Sequence, residues 1–240
     1  MIKKSTDVDM PTLPWRKAPK PPPPKQPLGQ DLIVDTAIRI LDAEGLDGVS
    51  MRRVAQELGT GPASLYAHVS NKDELLELML ERIAGEVRLP DELDPSRWQE
   101  QMKEIARSMQ RVWMSHADIA KVSLINIPTG SNQLRIAEAM LILMRGGGVP
   151  DQVAAWALDR LAMYIDADAI EAAMYTAKLK QGFDPGSYFA GIRDYFQKLP
   201  QGRFPTISSM ADTLTAGDGD ERFEFGLDVF IRGLASYVQK

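Results

Sequence analysis

Residues 50–72, SMRRVAQELGTGPASLYAHVSNK, constrain this chain more than any other stretch. Val54, Ala55 and Leu58 make one apolar edge at helical spacing. Gly59 follows, the residue type that takes the left-handed conformation of a C-terminal helix cap. Pro62 then restarts a helix in its first turn, where a missing N–H leaves nothing unpaired. Leu65 and Val69 are spaced to turn that second helix back onto the first. Two short helices across a tight glycine turn describe a helix-turn-helix. The second of them, expected over 62–69, has Ala63, Ser64, Tyr66, Ala67 and His68 on its outer side. These are small or hydrogen-bonding groups, suited to a DNA groove.

The flanking residues support the unit. Gln30 to Glu44 reads as a first helix, with Ile33, Ala37, Ile40 and Leu41 on one face and Gly45 ending it. Ser50 is placed to cap the second helix through its hydroxyl. Asn71 and Glu74 form a capping-box pattern that opens a fourth helix, which carries Leu75, Leu76, Met79 and Ile83 to about Val87. Of Arg52 and Arg53, one is expected to reach a phosphate or a base edge, the bland alternative being a solvated helix face. Ser64 can bond either group. Tyr66 offers a phenol to a phosphate and a ring to a thymine methyl. His68 suits a phosphate, although a lone histidine is more often structural. Lys72 stands where its ammonium and the free N–H groups of the fourth helix can converge on one phosphate.

Residues 50–81, with Leu65-Tyr66-Ala67-His68-Val69, Asn71-Lys72 and Leu75-Leu76, resemble the DNA-binding domain of the TetR family of transcriptional regulators. A patchier similarity runs through Trp98-Gln99, Ser115-His116, Ala120-Lys121-Val122, Pro128-Thr129, residues 223–227 and Gly233-Leu234. It resembles the ligand-binding and dimerisation domain of the same family. The resemblance implies an all-α fold, with an N-terminal three-helix helix-turn-helix DNA-binding domain over 29–88 and a larger helical ligand-binding and dimerisation domain over 89–240. It implies operator contacts at Ser50, Thr60, Ala63, Ser64, Tyr66, His68 and Lys72 beside the two arginines. Pro62 and Ala67 replace the glutamine and tryptophan of the tetracycline-binding members, so the operator read is expected to differ.

A formal net charge of −5 sits awkwardly with a nucleic-acid partner until its distribution is considered. Lys3, Lys4, Arg16, Lys17, Lys20 and Lys25 make residues 1–28 basic, and the density of proline there predicts extended or disordered chain. That arm is either a solvated leader, a basic strap along DNA, or a proline-rich ligand for a partner domain. The chain has no cysteine, which excludes disulfides and thiolate metal sites. No apolar run approaches the ~20 residues of a membrane span, and the N-terminus lacks the apolar middle of a signal peptide. A soluble, cytoplasmic protein without membrane contact is expected.

Behind Pro90, Asp94-Pro95 should start a fifth helix to about Ser115. Trp98, Met102, Ile105, Met109 and Trp113 recur along it at three and four, as core or as the wall of a ligand cavity lined by adaptable methionine. Residues 118–124 read as a short helix, and Thr129 as the cap of the next, which ends at Gly146-Gly147-Gly148. That glycine run lacks phosphate-loop spacing and reads as a terminator and hinge. A long helix should run from Asp151 to about Lys180. Asp159 and Asp166, seven apart, share one face, as a solvated edge or as pocket acids facing a cationic or hydroxylated ligand. Asp184-Pro185 opens a shorter helix, residues 200–219 read as mostly irregular loop, and Phe223 to Val238 as the last helix. Asp218 to Glu221 reads as the cap of that helix rather than a calcium loop.

The resemblance places the family's effector pocket near Ser123, Asn126, Met140 and Met163 as well. Tetracycline-binding members have a metal-binding histidine where Ser123 stands, so a different and more apolar effector is expected, with no metal and no cofactor. It also implies a four-helix homodimer interface, expected at Leu161, Ala169 and Ala172 on the long helix and at Phe223, Leu227, Phe230 and Leu234 on the last. The implied function is a ligand-released repressor of a palindromic operator. A helical adaptor using the proline-rich arm would leave Arg52 to Lys72 without purpose. A bundle enzyme lacks its Glu-x-x-His pairs, since the only histidines are His68 and His116.

Overall fold

The computed structural model describes residues 27–238, so the basic arm expected over 1–28 lies outside the described residues except for Pro27 and Leu28. Every regular element among the described residues is helical. The reading head comprises α1 (Gln30–Glu44), α2 (Met51–Glu57), α3 (Pro62–Leu65) and α4 (Lys72–Ala84). The body comprises α5 (Trp98–Ser115), α6 (Ile119–Ser123), α7 (Ser131–Gly146), α8 (Asp151–Lys180), α9 (Pro185–Gln197), α10 (Pro205–Ser209), α11 (Ala211–Leu214) and α12 (Gly219–Ala235).

In the head, Ile33, Ala37, Leu41, Val54, Leu65, Leu75, Met79 and Ile83 lose all but a trace of their exposure. These are the apolar positions that the helical periodicity picks out, and their burial holds together four helices that are marginal alone. Ser50 caps α2 by accepting from Arg53 N at 3.1 Å. Gly59 has φ +62°, and the N–H groups of Gly59 and Thr60 return to the Gln56 and Ala55 carbonyls, closing the helix in the Schellman manner. The expected recognition helix is shorter than 62–69: it closes after Leu65 and continues as a turn through His68.

In the body, α5 packs against α7, α8 and α12, and Trp98, Met102, Ile105 and Ala106 are buried among them. Asp94 caps the short 3-10 turn Pro95–Arg97 ahead of α5. The long helix α8 covers the range its periodicity predicts, and it is about 45 Å long at 1.5 Å per residue. Asp218 and Glu221 form a full capping box on α12.

Four details differ from expectation. Thr129 does not cap α7. The N-cap is Gly130, and the amides there are met by a carboxylate from α4. Gly146 to Gly148 is a packed corner rather than a hinge: a Cβ on Gly147 would lie 2.2 Å from Trp98 Cδ1. The stretch 200–219 is not mostly loop, because α10 and α11 fold back on α9. Finally, Leu161, Ala169, Phe223, Leu227 and Leu234, expected at a dimer interface, are at most 7% exposed inside a single chain. The reason is that α12 must first cover α5 and α8. Phe223 stacks on Tyr164 at 5.4 Å, and the Lys103–Asp228 and Arg107–Glu224 ion pairs pin α12 to α5.

Candidate functional site

The head leaves a set of donors uncovered. Ala63, Ser64 and His68 are exposed, and Tyr66 is 53% exposed with its ring outward while Leu65 and Val69 go inward. Lys72 is exposed at the first residue of α4, with no carboxylate partner among the described residues. The Asn71 side chain accepts from Glu74 N at 2.8 Å and the Glu74 carboxylate accepts from Ser70 N at 2.5 Å, which fixes the chain just ahead of Lys72. Thr60 and Ser50 are half-buried in the turn and the cap.

The two arginines separate. Arg53 lies between Glu44 and Glu57 at 2.7 and 2.8 Å, and those carboxylates hold its guanidinium above its ordinary pKa. Arg52 is exposed. Arg53 is therefore a strut between α1 and α2, and Arg52 is the cation turned outward.

In the body, Met109, Trp113, Ser123, Asn126, Met140, Asp159, Met163 and Asp166 border one cavity of about 210 Å³ between α5, α6, α7 and α8. Trp98, Met102 and Ile105 do not border it. They lie deeper along α5, in the core, because the cavity opens only at the C-terminal half of that helix. Gln133, Ile136 and Leu158 also border it and are not among the expected residues. Their signal is helical spacing, Gln133 and Ile136 standing seven and four residues before Met140 on α7 and Leu158 eight before Asp166 on α8. A larger cavity of about 310 Å³, beside Gln110, Asp168 and Ala172, holds none of the expected ligand residues.

Asp166 is the buried acid of the site, 2% exposed. Its Oδ1 accepts from Trp113 Nε1 at 2.7 Å. Burial pushes its carboxyl up to about 6, against the opposing pull of hydrogen bonds from Ser123 and Trp113. A carboxyl raised in the folded state costs nothing below its ordinary value of 3.8, and its cost grows as pH climbs to about 6 and is constant above. Asp166→Asn is therefore expected to stabilise the protein by up to about 3 kcal/mol at pH 8 and to leave it unchanged near pH 4. Urea unfolding at the two pH values checks this.

Head and body are joined through the other end of α4. The Glu81 carboxylate accepts from Asn132 N at 2.6 Å, Gln133 N at 3.2 Å and Ser131 Oγ at 3.0 Å. It thus serves as the anionic cap of α7. Gly130 makes room for it, since a Cβ there would lie 2.1 Å from Glu81 Oε2. Asn132 Nδ2 donates back to the Glu81 carbonyl, and Arg135 donates to the Val87 carbonyl at 2.9 Å. A second joint sits between α5 and α6. His116 meets Asp42 of α1 at 3.1 Å and Glu86 at 3.3 Å, and the Asp118 carboxylate accepts from Leu46 N at 3.2 Å.

Among the described residues no cluster of histidine, cysteine or carboxylates could hold a metal ion, and no helix is long and apolar enough to cross a membrane.

Residues 33–79 match the model described as bacterial regulatory proteins, tetR family, and residues 89–238 match the tetracyclin repressor-like C-terminal domain. The HTH-type transcriptional repressor DrrR1 of Streptomyces coeruleorubidus is 33% identical over 218 residues, covering 90% of this chain and 80% of the relative. The class D tetracycline repressor protein of Escherichia coli is 27% identical over 209 residues, 86% of this chain and 88% of its own. The crystal structure of the Streptomyces coelicolor protein ActR in complex with actinorhodin superposes with a TM-score of 0.81 at 42% identity, over 89% of this chain and 98% of that one.

Proposed function

The chain belongs to the TetR family of bacterial regulatory proteins, and we propose that it works as a homodimer whose two reading heads lose their operator spacing when an apolar effector fills the cavity. It is a ligand-responsive transcriptional repressor and not an enzyme. We divide it into a head over 29–88, a body over 89–240 and the basic arm 1–28. Ser64, Tyr66, His68, Lys72 and Arg52 face the DNA.

The observation that carries this is a single rod. Helix α4 bears Lys72 at one end and Glu81 near the other, and Glu81 caps the helix whose first turns, Gln133 and Ile136, wall the cavity. A ligand that displaces the 123–133 segment moves the point on which α4 bears, and the DNA end of α4 moves with it. The response is limited to the ligand's preference for one state over the other, ~1–3 kcal/mol in typical cases. Mostly apolar walls at Met109, Ile136, Met140 and Leu158 support an apolar effector, and the complex of ActR with actinorhodin supports a small molecule as the effector.

The dimer face lies on the opposite side of the helices from the residues named by the sequence. Trp156 on α8 is 66% exposed, and Phe225 and Val229 on α12 are 72% and 53% exposed. Large aromatics left in water on two adjacent helices need a partner. Two copies of that face make an isologous four-helix contact, whose two-fold axis suits a palindrome. Sedimentation velocity at micromolar concentration is expected to give twice the 26.6 kDa chain mass, with Phe225→Glu giving the monomer. A monomeric wild-type protein would refute the proposal.

A further inference from the structure

We infer that the effector carries an amine on its apolar ring system, and that Asp166 is the residue that selects it. The inference rests on reading the cavity between α5, α6, α7 and α8 as the effector site. Of the described residues that border this cavity, the charged ones are Asp159 and Asp166, and no lysine, arginine or histidine borders it.

The two acids are not equivalent. Asp159 has a countercharge, Arg160 Nη2 at 2.9 Å, and both side chains are more than half exposed, so solvent and salt screen it. Asp166 is buried, and its donors are the Trp113 indole N–H and the Ser123 hydroxyl, both neutral. Among the described residues no cation lines the cavity beside it, and no neighbouring charge contributes to its shift.

A buried carboxylate without a countercharge is costly, and neutral donors offset only part of that cost. The cost is visible in the carboxyl's displacement to about 6. At neutral pH most of the population is still ionised. A ligand ammonium would supply the missing charge in a water-poor site, where the attraction is strongest. A hydroxyl at the same place gains one hydrogen bond, and a carboxylate meets repulsion from both acids. Trp113 borders the same space and adds an aromatic surface of the kind cations favour. Asp159 and Asp166 are seven residues apart on α8, about 10 Å along its axis. A scaffold of two or three fused rings spans from the mouth to the buried acid.

The test is calorimetric titration of the full-length protein at pH 7.5 with three anthraquinones that differ only in side chain, aminopropyl, hydroxypropyl or carboxyethyl. The amine is expected to bind at least ~10-fold tighter than the alcohol and ~100-fold tighter than the acid. Asp166→Asn keeps the size and an acceptor, and there the amine-to-alcohol ratio should fall below about 2. Ala162 borders the cavity, so Ala162→Trp fills it and should abolish binding of all three. An acid that binds as well as the amine, or a ratio unchanged in Asp166→Asn, overturns the inference. The cavity reading still stands in that case if Ala162→Trp blocks binding. Undiminished binding to Ala162→Trp overturns the cavity reading and the inference with it, and so does a protein that binds none of the three.

Discussion

Alanine at both Tyr66 and Lys72 is expected to lower affinity for the cognate operator about 1,000-fold while leaving the fold intact. A phenol in a groove and a cation on a phosphate are worth ~1–3 kcal/mol each, and 1.4 kcal/mol is tenfold. The pair therefore accounts for about one and a half to four decades in each head, and for about three decades or more in a dimer. Neither side chain is buried, and neither has a bond within the head whose loss would unfold it: Tyr66 is 53% exposed and Lys72 has no carboxylate partner among the described residues. Thermal stability should change by no more than ~0.5 kcal/mol. Loss of Lys72 removes one phosphate contact from each of the two heads, so the slope of log K against log salt should become shallower by about two. Fluorescence anisotropy of labelled duplex at several salt concentrations reads both numbers. Unchanged affinity in the double variant would place the reading face elsewhere.

Glu81→Ala is expected to disconnect the cavity from the DNA. In the wild type, a cavity ligand should weaken operator binding by a factor in the 5–150 range of ordinary allosteric coupling. In the variant that factor should fall below about 3, because α7 no longer bears on α4 through its cap. The three donors of Ser131, Asn132 and Gln133 lose their acceptor. A destabilisation of ~1–3 kcal/mol accompanies that loss. Operator affinity measured with and without ligand separates the two effects. A variant that is merely less stable keeps its ligand response, and that result would move the transmission path to the His116 joint with Asp42 and Glu86.

The head was legible because its signals are local. Ser50 and Gly59 each act on a neighbour within five residues, and each lies where its chemistry predicts. The long helix α8 was legible for the same reason, an unbroken periodicity bounded by Pro150 and Gly182. The cavity was half legible. Asp159 and Asp166 were placed by their heptad spacing, but which half of α5 faces the space depends on where α7 and α8 cross it, so Trp98, Met102 and Ile105 were misplaced. The residues of the proposed dimer face were not legible, because an apolar stripe does not say whether its own chain or a second copy covers it. Phe223 and Leu227 meet Tyr164 and the core, while Phe225 and Val229 two positions on face water. Glu81 left no trace in the sequence, since its partners stand about fifty residues away.

Two copies of this head are expected to read one symmetric DNA sequence. Selection from a pool of random duplexes with the purified full-length protein tests it most directly, followed by anisotropy on the enriched sequence. The account predicts an inverted repeat, bound at least ~1,000-fold tighter than random duplex at the same salt. A pool that returns no motif, or a motif without two-fold symmetry, would contradict it.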